Sequence, residues 1–447
     1  MILVADYVLP ISGPPIKRGA VVVEEGEIEA VGSREDLVRK YKYEEVLDFG
    51  RAAILPGLVN CHTHLCYTIL RGYEDDLPLL QWLVYGIAEG SSRMEPEDLE
   101  ISALLGCVEA LKAGTTCLAD VAVSLRYLDS VAKTGIRAIV YREVMDLFAR
   151  DPEEVLEEAL GEIERCGEIA SRYGRISLGI SPHSPYTTSP NLLEAALREA
   201  RERGLPASIH LAESREEVEF LRNGRGTLAE LFECLGVRFE PPRATPLEYL
   251  DELGVLSRGI VLAHCVHLGR GDLELMESRG VAVAHCPRSN AKLGCGIAPL
   301  AELLRRGIPV GLGTDSAASS NSLSVLEEAR FALLLQRAVR EDVGALDARA
   351  ALELATLGGA RALGLGDVVG SLEPGKRADL VVVSLKGAHC IPAYDPYSAL
   401  AYSAISRDVV FVMIDGEVVV EGGRLLRVDE ERVLRDAERV AEKIAES

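Results

Sequence analysis

Residues 56–64, PGLVNCHTH, end a short apolar run on two histidines one residue apart. Alternate side chains of a strand share a face, so His62 and His64 at this spacing can address one ion from the end of a barrel strand. The pattern is moderately specific by itself, and the segments that follow it decide the fold.

From residue 55 onward, β-branched apolar runs alternate with longer helical patterns. Strands are expected near 55–61 (LPGLVNC), 115–121 (TTCLADV), 137–145 (RAIVYREVM), 175–181 (RISLGIS), 206–212 (PASIHLA), 259–265 (GIVLAHC), 281–286 (VAVAHC) and 308–314 (IPVGLGT). Helix signals fill the gaps: Pro96 before an apolar-periodic stretch ending at Gly114, and Ser189-Pro190 as cap and first turn of a helix ending near Gly204. Eight strand–helix units in succession predict a closed parallel (β/α)8 barrel of the TIM type over residues 57–365. Residues 1–56 and 366–447 read instead as short strands with tight turns, plus a charged C-terminal helix from about 428. Neither set has enough strands to bury a face alone, so the two chain ends are expected to pair into one small β-sandwich domain. Between His210 and the strand at 259 lies far more chain than one helix needs, and extra length there reads as a surface elaboration or a pocket wall.

Apolar residues make up 48% of the 447 and charged residues 26%, the composition of a soluble globular protein. A net charge of -22 disfavours nucleic acid and anionic membranes as partners and leaves a small neutral or cationic molecule as the better fit. No apolar stretch is long enough to span a bilayer, and the N-terminus lacks the marks of an export signal. Ten cysteines without a C-x-x-C pair read as free thiols in the reducing cytoplasm. Any metal is therefore held by imidazole and carboxylate.

Three further strand ends carry such donors: His210 in SIHLAES, His264 in LAHCVHL and Asp315 in GLGTDSAAS. In isolation Asp315 could equally cap the next helix, but separate strand ends presenting ligand-type residues are hard to obtain from core packing, and active sites of this fold form at that face. His62, His64, His210 and Asp315 are the expected ligands of one divalent ion, Zn2+ first, with Fe2+ or Mn2+ accepted by the same donors. One ion is expected because the fourth strand ends in SPHSPY and no lysine occurs between Lys133 and Lys292 to bridge a second. Glu213, three residues past His210, must lie beyond the strand end, where a carboxyl can carry protons above the ion. An aromatic amidine needs protonation of its ring nitrogen as hydroxide adds to the neighbouring carbon. Glu213 can supply that proton, Asp315 can accept the proton of the attacking water, and His264 can orient it.

His183, held between Pro182 and Pro185, is well placed to contact a substrate heteroatom. Ser289 and Asn290 end the seventh strand and either line the pocket or serve as turn residues. Arg142 and Glu143 pair with each other, or Arg142 binds a substrate hydroxyl or carboxylate. His267 reads as a surface or supporting residue, His285 fits either a place beside substrate or packing, and His389 lies outside the site.

Taken together, PGLVNCHTH, Leu70-Arg71-Gly72, Trp82-Leu83, SPHSPYTTS, HLAES, AHCVHL, HCPRSNAKLGCGIAP, LGTDSAASSNSL and the late EPGKRADLVVV resemble the amidohydrolase superfamily. Within it they are similar to the methylthioadenosine/S-adenosylhomocysteine deaminases and triazine chlorohydrolases. The resemblance implies a zinc-dependent hydrolytic deaminase of a 6-aminopurine nucleoside or analogue, with His183 on a purine-like ring, Trp82 at the pocket and a homo-oligomer of two or more subunits. In adenosine-type members an acid about nine positions beyond the Trp holds the ribose hydroxyls; here Ser91 stands there, with Glu89 two residues earlier as the available acid. The long 214–257 connection resembles relatives acting on aminodeoxyfutalosine. A chlorohydrolase or aminohydrolase acting on another N-heterocycle shares the same metal site. A barrel that has become a non-catalytic scaffold is expected to have lost ligands or the proton carrier, and all are present.

Overall fold

In the computed structural model, which describes residues 1–42, 44–147 and 150–446, the eight expected runs form one parallel sheet in chain order. They are Leu58–Thr63 (β1), Thr115–Ala122 (β2), Arg137–Val144 (β3), Ile176–Pro182 (β4), Ala207–Leu211 (β5), Ile260–His264 (β6), Ala282–His285 (β7) and Val310–Leu312 (β8). The sheet rolls up so that β8 returns to β1. There the Asp315 amide donates to the His62 carbonyl at 2.9 Å, and the Asn60 carboxamide exchanges hydrogen bonds of 2.8 and 3.1 Å with Thr314. Gly313 permits the closure, since a Cβ there would sit 2.9 Å from both His62 Cβ and Cys286 Sγ.

Strand alternation divides the core. Val59, Cys61, Cys117, Ala119, Ile139, Tyr141 and Val261 fill the interior. Ile176, Leu178, Ile180, Ile209 and Leu262 face the surrounding helices. Those helices begin and end where the sequence signals lie. Pro96–Lys112 starts behind a reciprocal Glu95–Asp98 cap. Pro190–Arg203 starts on the Ser189 hydroxyl and stops at Gly204, with φ 66°.

The two chain ends build a nine-stranded mixed sheet whose strands lie within residues 2–56 and 380–425. They are joined where Leu380–Ser384 runs antiparallel to Ala52–Pro56. Leu3, Val21, Ile54, Val382 and Phe411 from across this sheet share one apolar cluster, so the expected sandwich is a single continuous sheet closing over its own core. The C-terminal helix Glu430–Glu446 follows the last strand of this sheet. Its stripe of Val433, Ala437, Val440 and Ile444 is buried, and the helix lies against Pro96–Lys112 of the barrel. An amphipathic helix goes where an apolar face is free to receive it.

Candidate active site

The C-terminal ends of the barrel strands bring the expected donors together. His62, His64 and His210 offer ligand atoms within 4.8 Å of one another, and so do His62, His264 and Asp315. Nε2 of His64 faces Nε2 of His210 at 3.2 Å, and Asp315 Oδ1 lies 3.5 and 3.4 Å from Nε2 of His62 and His64. All four residues are buried. Burial, followed by neighbouring imidazoles for His64 and His210, disfavours charge on these rings: His62 is lowered, His64 falls to about 3 and His210 goes well below its ordinary value. Burial would raise Asp315, but the imidazoles around it, His62 foremost, hold its carboxyl well below the usual range.

Neutral imidazoles around an ionised carboxylate suit a divalent cation. Three observations fit that group. His210 Nδ1 donates to the His183 carbonyl at 2.7 Å, which leaves Nε2 as a bare lone pair. Ser289 and Ser319 both donate to the other Asp315 oxygen, at 2.6 and 2.7 Å, which leaves Oδ1 for the imidazole cluster. Both ring nitrogens of His62 and Nδ1 of His64 are buried without a hydrogen bond.

Glu213 sits beyond β5, where Ala212 takes φ 50° and turns the chain over the mouth. Its backbone is fixed from behind, because the Glu217 carboxylate accepts the amides of Ala212 and Glu213 at 2.8 Å each. Burial raises the Glu213 carboxyl. His264, at φ 71°, places Nδ1 2.9 Å from Asn290 Oδ1 and 3.5 Å from Glu213 Oε1. With two oxygens facing it, Nδ1 carries the proton. Burial opposes charge on this ring, but Glu213 and Asp315 outweigh it and raise the pKa.

These groups open into a cavity of about 340 Å³. Trp82, His183 and Glu213 line it. Trp82 opens a π-helical turn, Trp82–Ala88, and Gly86 leaves room for its ring: a Cβ there would stand 2.9 Å from the indole. His183 Nδ1 is 2.6 Å from the Thr187 hydroxyl. The long connection contributes helices Arg215–Asn223, Thr227–Cys234 and Pro246–Glu252, and Leu228, Leu231, Phe232 and Leu235 from this segment wall the cavity.

Four expected substrate contacts lie elsewhere. Arg142 points away from the barrel interior and pairs with Glu162 at 2.6 Å, because its neighbour Glu143 occupies the inward phase of β3. Glu89 is half exposed and paired with Arg93 at 2.8 Å, whereas Ser91 lines the cavity. Ser289 and Asn290, in the short helix Pro287–Lys292, support Asp315 and His264 and do not line the cavity. His267 bonds the Cys295 carbonyl at 2.6 Å. His285 is buried outside the cavity wall, and His389 pairs with Asp408 at 2.7 Å. Glu143, Glu217 and Ser319 also belong to this corner of the barrel; in sequence only Glu143 carries a signal, the alternation Ile139–Tyr141–Glu143.

The Amidohydrolase family profile matches residues 53–419. The chain is 40% identical over 442 residues, 99% of its own length and 98% of the relative's, to the 5-methylthioadenosine/S-adenosylhomocysteine deaminase of Desulforudis audaxviator. It is 36% identical to the 5'-deoxyadenosine deaminase of Methanopyrus kandleri, covering 96% and 95% of the two chains. A crystal structure of an adenosine deaminase from Xanthomonas campestris with bound zinc superposes with a TM-score of 0.86 at 33% identity, over 100% of this chain and 98% of that one. On its sequence, its barrel and the donors at the barrel's mouth, this chain belongs to the amidohydrolase family.

Proposed function

We propose that the protein is a metal-dependent deaminase that hydrolyses the 6-amino group of a purine nucleoside, with one Zn2+ held by His62, His64, His210 and Asp315. Fe2+ and Mn2+ are accepted by the same donors. The observation that carries this reading is the convergence of these four donors with Glu213 and His264 at the floor of one largely apolar cavity. The relatives named as deaminases of adenine nucleosides support the choice of substrate.

When bound, the ion supplies Lewis acidity that makes water a nucleophile near neutral pH. The protein's own groups do the rest. Asp315 accepts the proton of the attacking water. Glu213 delivers a proton to the ring nitrogen beside the attacked carbon, so that no unstabilised amide anion forms. His264, its tautomer set by Asn290 and Glu213, orients the incoming oxygen. Glu213, now ionised, takes the proton of the adduct's hydroxyl and passes it to the departing amine; ammonia leaves as the ring carbonyl forms, and the proton held by Asp315 returns to Glu213 for the next turnover. His183 holds a ring heteroatom on the opposite wall.

Beyond the reacting end the cavity is walled by Leu83, Val84, Ile87, Leu147, Leu231 and Phe232, and no lysine or arginine is among the described residues that line it. That wall favours an uncharged 5' substituent. Ten free thiols, mostly buried, suit the reducing cytoplasm, and the family supports a homo-oligomer; no described helix is long and apolar enough to cross a membrane.

The deciding measurement is ammonia release from adenosine, 5'-deoxyadenosine, methylthioadenosine, S-adenosylhomocysteine and aminodeoxyfutalosine, side by side. Turnover of at least one is expected. Silence on all five, with turnover of a chlorotriazine, moves the protein to the chlorohydrolase reading.

A further inference from the structure

The reaction described above leaves one buried acid in the cavity without a task. Glu143 is the penultimate residue of β3, with 5% of its surface exposed. It follows Ile139 and Tyr141, both in the barrel interior, and it lines the cavity. Its carboxylate lies within 4.8 Å of a ring nitrogen of His183 and of His210. It is absent from the clusters that contain Asp315 and His264, so it stands apart from the proton-transfer groups.

Its Oε1 is buried and has no partner. Among the described residues lining the cavity, the only other buried polar atom in that condition is Nδ1 of His64, an expected metal ligand. Several of the surrounding polar groups are already used. Arg142, the adjacent cation, pairs with Glu162. Asp120, the acid behind Glu143, accepts the Leu65 amide at 2.8 Å and the Tyr127 hydroxyl at 2.9 Å. Thr187 serves His183 and Ser184 at 2.6 and 2.7 Å, and Ser91 donates to the Ala88 carbonyl. A buried carboxylate oxygen without a donor is costly, and such a group at a cavity wall points to a donor that arrives with the ligand.

We propose that Glu143 is a specificity-determining residue that accepts a hydrogen bond from a sugar hydroxyl of the substrate, and so makes the cavity select ribosyl compounds over their deoxy counterparts. The inference rests on the deaminase reading. A nucleoside bound with its amino group at Glu213 and its ring against His183 extends its sugar past His183, and Glu143 stands beside that histidine. Carboxylate oxygens suit hydroxyl donors, and a vicinal diol can address both oxygens at once. A second metal ion at Glu143 is the competing use of this corner. His210 Nδ1 bonds the His183 carbonyl, its Nε2 faces His64, and His183 Nδ1 bonds Thr187, so only His183 Nε2 is left to share an ion with Glu143.

The experiment compares the zinc-loaded wild type with Glu143→Ala and Glu143→Gln on the best-turned-over nucleoside and on its 2'-deoxy and 3'-deoxy analogues, with metal content measured throughout. In the wild type, loss of one hydroxyl should cost about 10–100-fold in kcat/KM. Glu143→Ala should lose a similar factor on the parent nucleoside and show little further loss on that deoxy analogue. Glu143→Gln, whose carboxamide oxygen still accepts, should retain part of the discrimination. Metal should stay at one equivalent in all three. Equal discrimination by wild type and Glu143→Ala overturns the assignment, as does a fall in metal content on substitution. A wild type silent on every nucleoside removes the deaminase reading and this inference together; an active wild type without the coupling removes this inference alone.

Discussion

His264 is locked by its neighbour Asn290, whose side-chain oxygen accepts the Nδ1 proton at 2.9 Å while Glu213 Oε1 stands 3.5 Å from the same nitrogen. The bond fixes the tautomer and the ring plane, and so leaves Nε2 as the ring's acceptor. Asn290→Ala should therefore lower kcat/KM by about 10–100-fold, the usual range for loss of a group that orients a reacting histidine. Bound metal should be unchanged, because Asn290 touches none of the four expected ligands. A paired measurement of metal content and turnover checks this.

The ligand set and the proton carrier separate by the same two measurements. His210→Ala removes a donor whose lone pair is directed by the His183 carbonyl, and it should lose both metal and activity. Glu213→Gln keeps the shape of a residue that lies beyond the donor set. It should retain metal and lose turnover by about 10²–10⁴-fold, the contribution of a positioned general acid. Near-normal turnover in Glu213→Gln would end the proton role given to that carboxyl.

The barrel was readable because each strand carries its own apolar run and each donor follows one. Within the site, readability followed strand phase. His183 and His210 continue the inward alternation of β4 and β5, where Ile180 and Ile209 face outward. Glu143 and Arg142 share β3, and residue type alone points to Arg142, the residue of the outward phase. His264 shows why alternation is an incomplete guide. Its neighbour two residues back, Leu262, faces the helices, yet a left-handed backbone at His264 turns the imidazole to the cavity. The roles of Ser289 and Asn290 depend on the turn made by Pro287–Lys292, which residue type alone does not specify. The placement of the C-terminal helix depended on which face the barrel left open.

Asp415 joins the small sheet to the barrel. Its carboxylate lies 2.6 Å from Arg137 at the start of β3, 2.7 Å from Arg175 and 2.6 Å from Arg377. Burial would raise its pKa, but Arg377 and Arg137, with Arg175, hold it below its ordinary value. A carboxyl depressed in the folded state contributes stability above its unfolded pKa and loses it as pH falls through the folded one. Asp415→Asn should cost roughly 2 kcal/mol near pH 7, less than a fully buried pair because the group keeps some solvent. The gap in Tm between wild type and variant should narrow below about pH 4. Thermal melts between pH 3 and 7 test both the size and the sign.

The apolar wall makes a claim about charge. S-adenosylhomocysteine carries an amino-acid zwitterion, and the described cavity lining offers it no cation. Methylthioadenosine ends in a thioether methyl that Leu147, Leu231 and Phe232 can cover. We expect kcat/KM for methylthioadenosine to exceed that for S-adenosylhomocysteine by about 100-fold or more, the penalty for a poorly paired buried charge. Leu231→Arg should shrink the ratio, chiefly through KM. A wild type indifferent to the two tails would show that the tail stays in solvent.

Trp82 is the chain's single tryptophan, and it is buried at the cavity wall in the same apolar cluster as Leu79, Val440 and Ile444. The C-terminal helix therefore braces the wall against which substrate packs. Two consequences can be read from one fluorophore. A nucleoside product or inhibitor that fills the cavity should change Trp82 emission saturably, with the same midpoint as its inhibition of turnover. Val440→Ala with Ile444→Ala removes side chains from the cluster that holds the indole. The double variant should shift emission to the red, raise KM several-fold and lower stability by about 2–4 kcal/mol, with kcat and metal content little changed. Unaltered emission and KM in a folded double variant would mean that the helix covers the barrel without supporting the pocket.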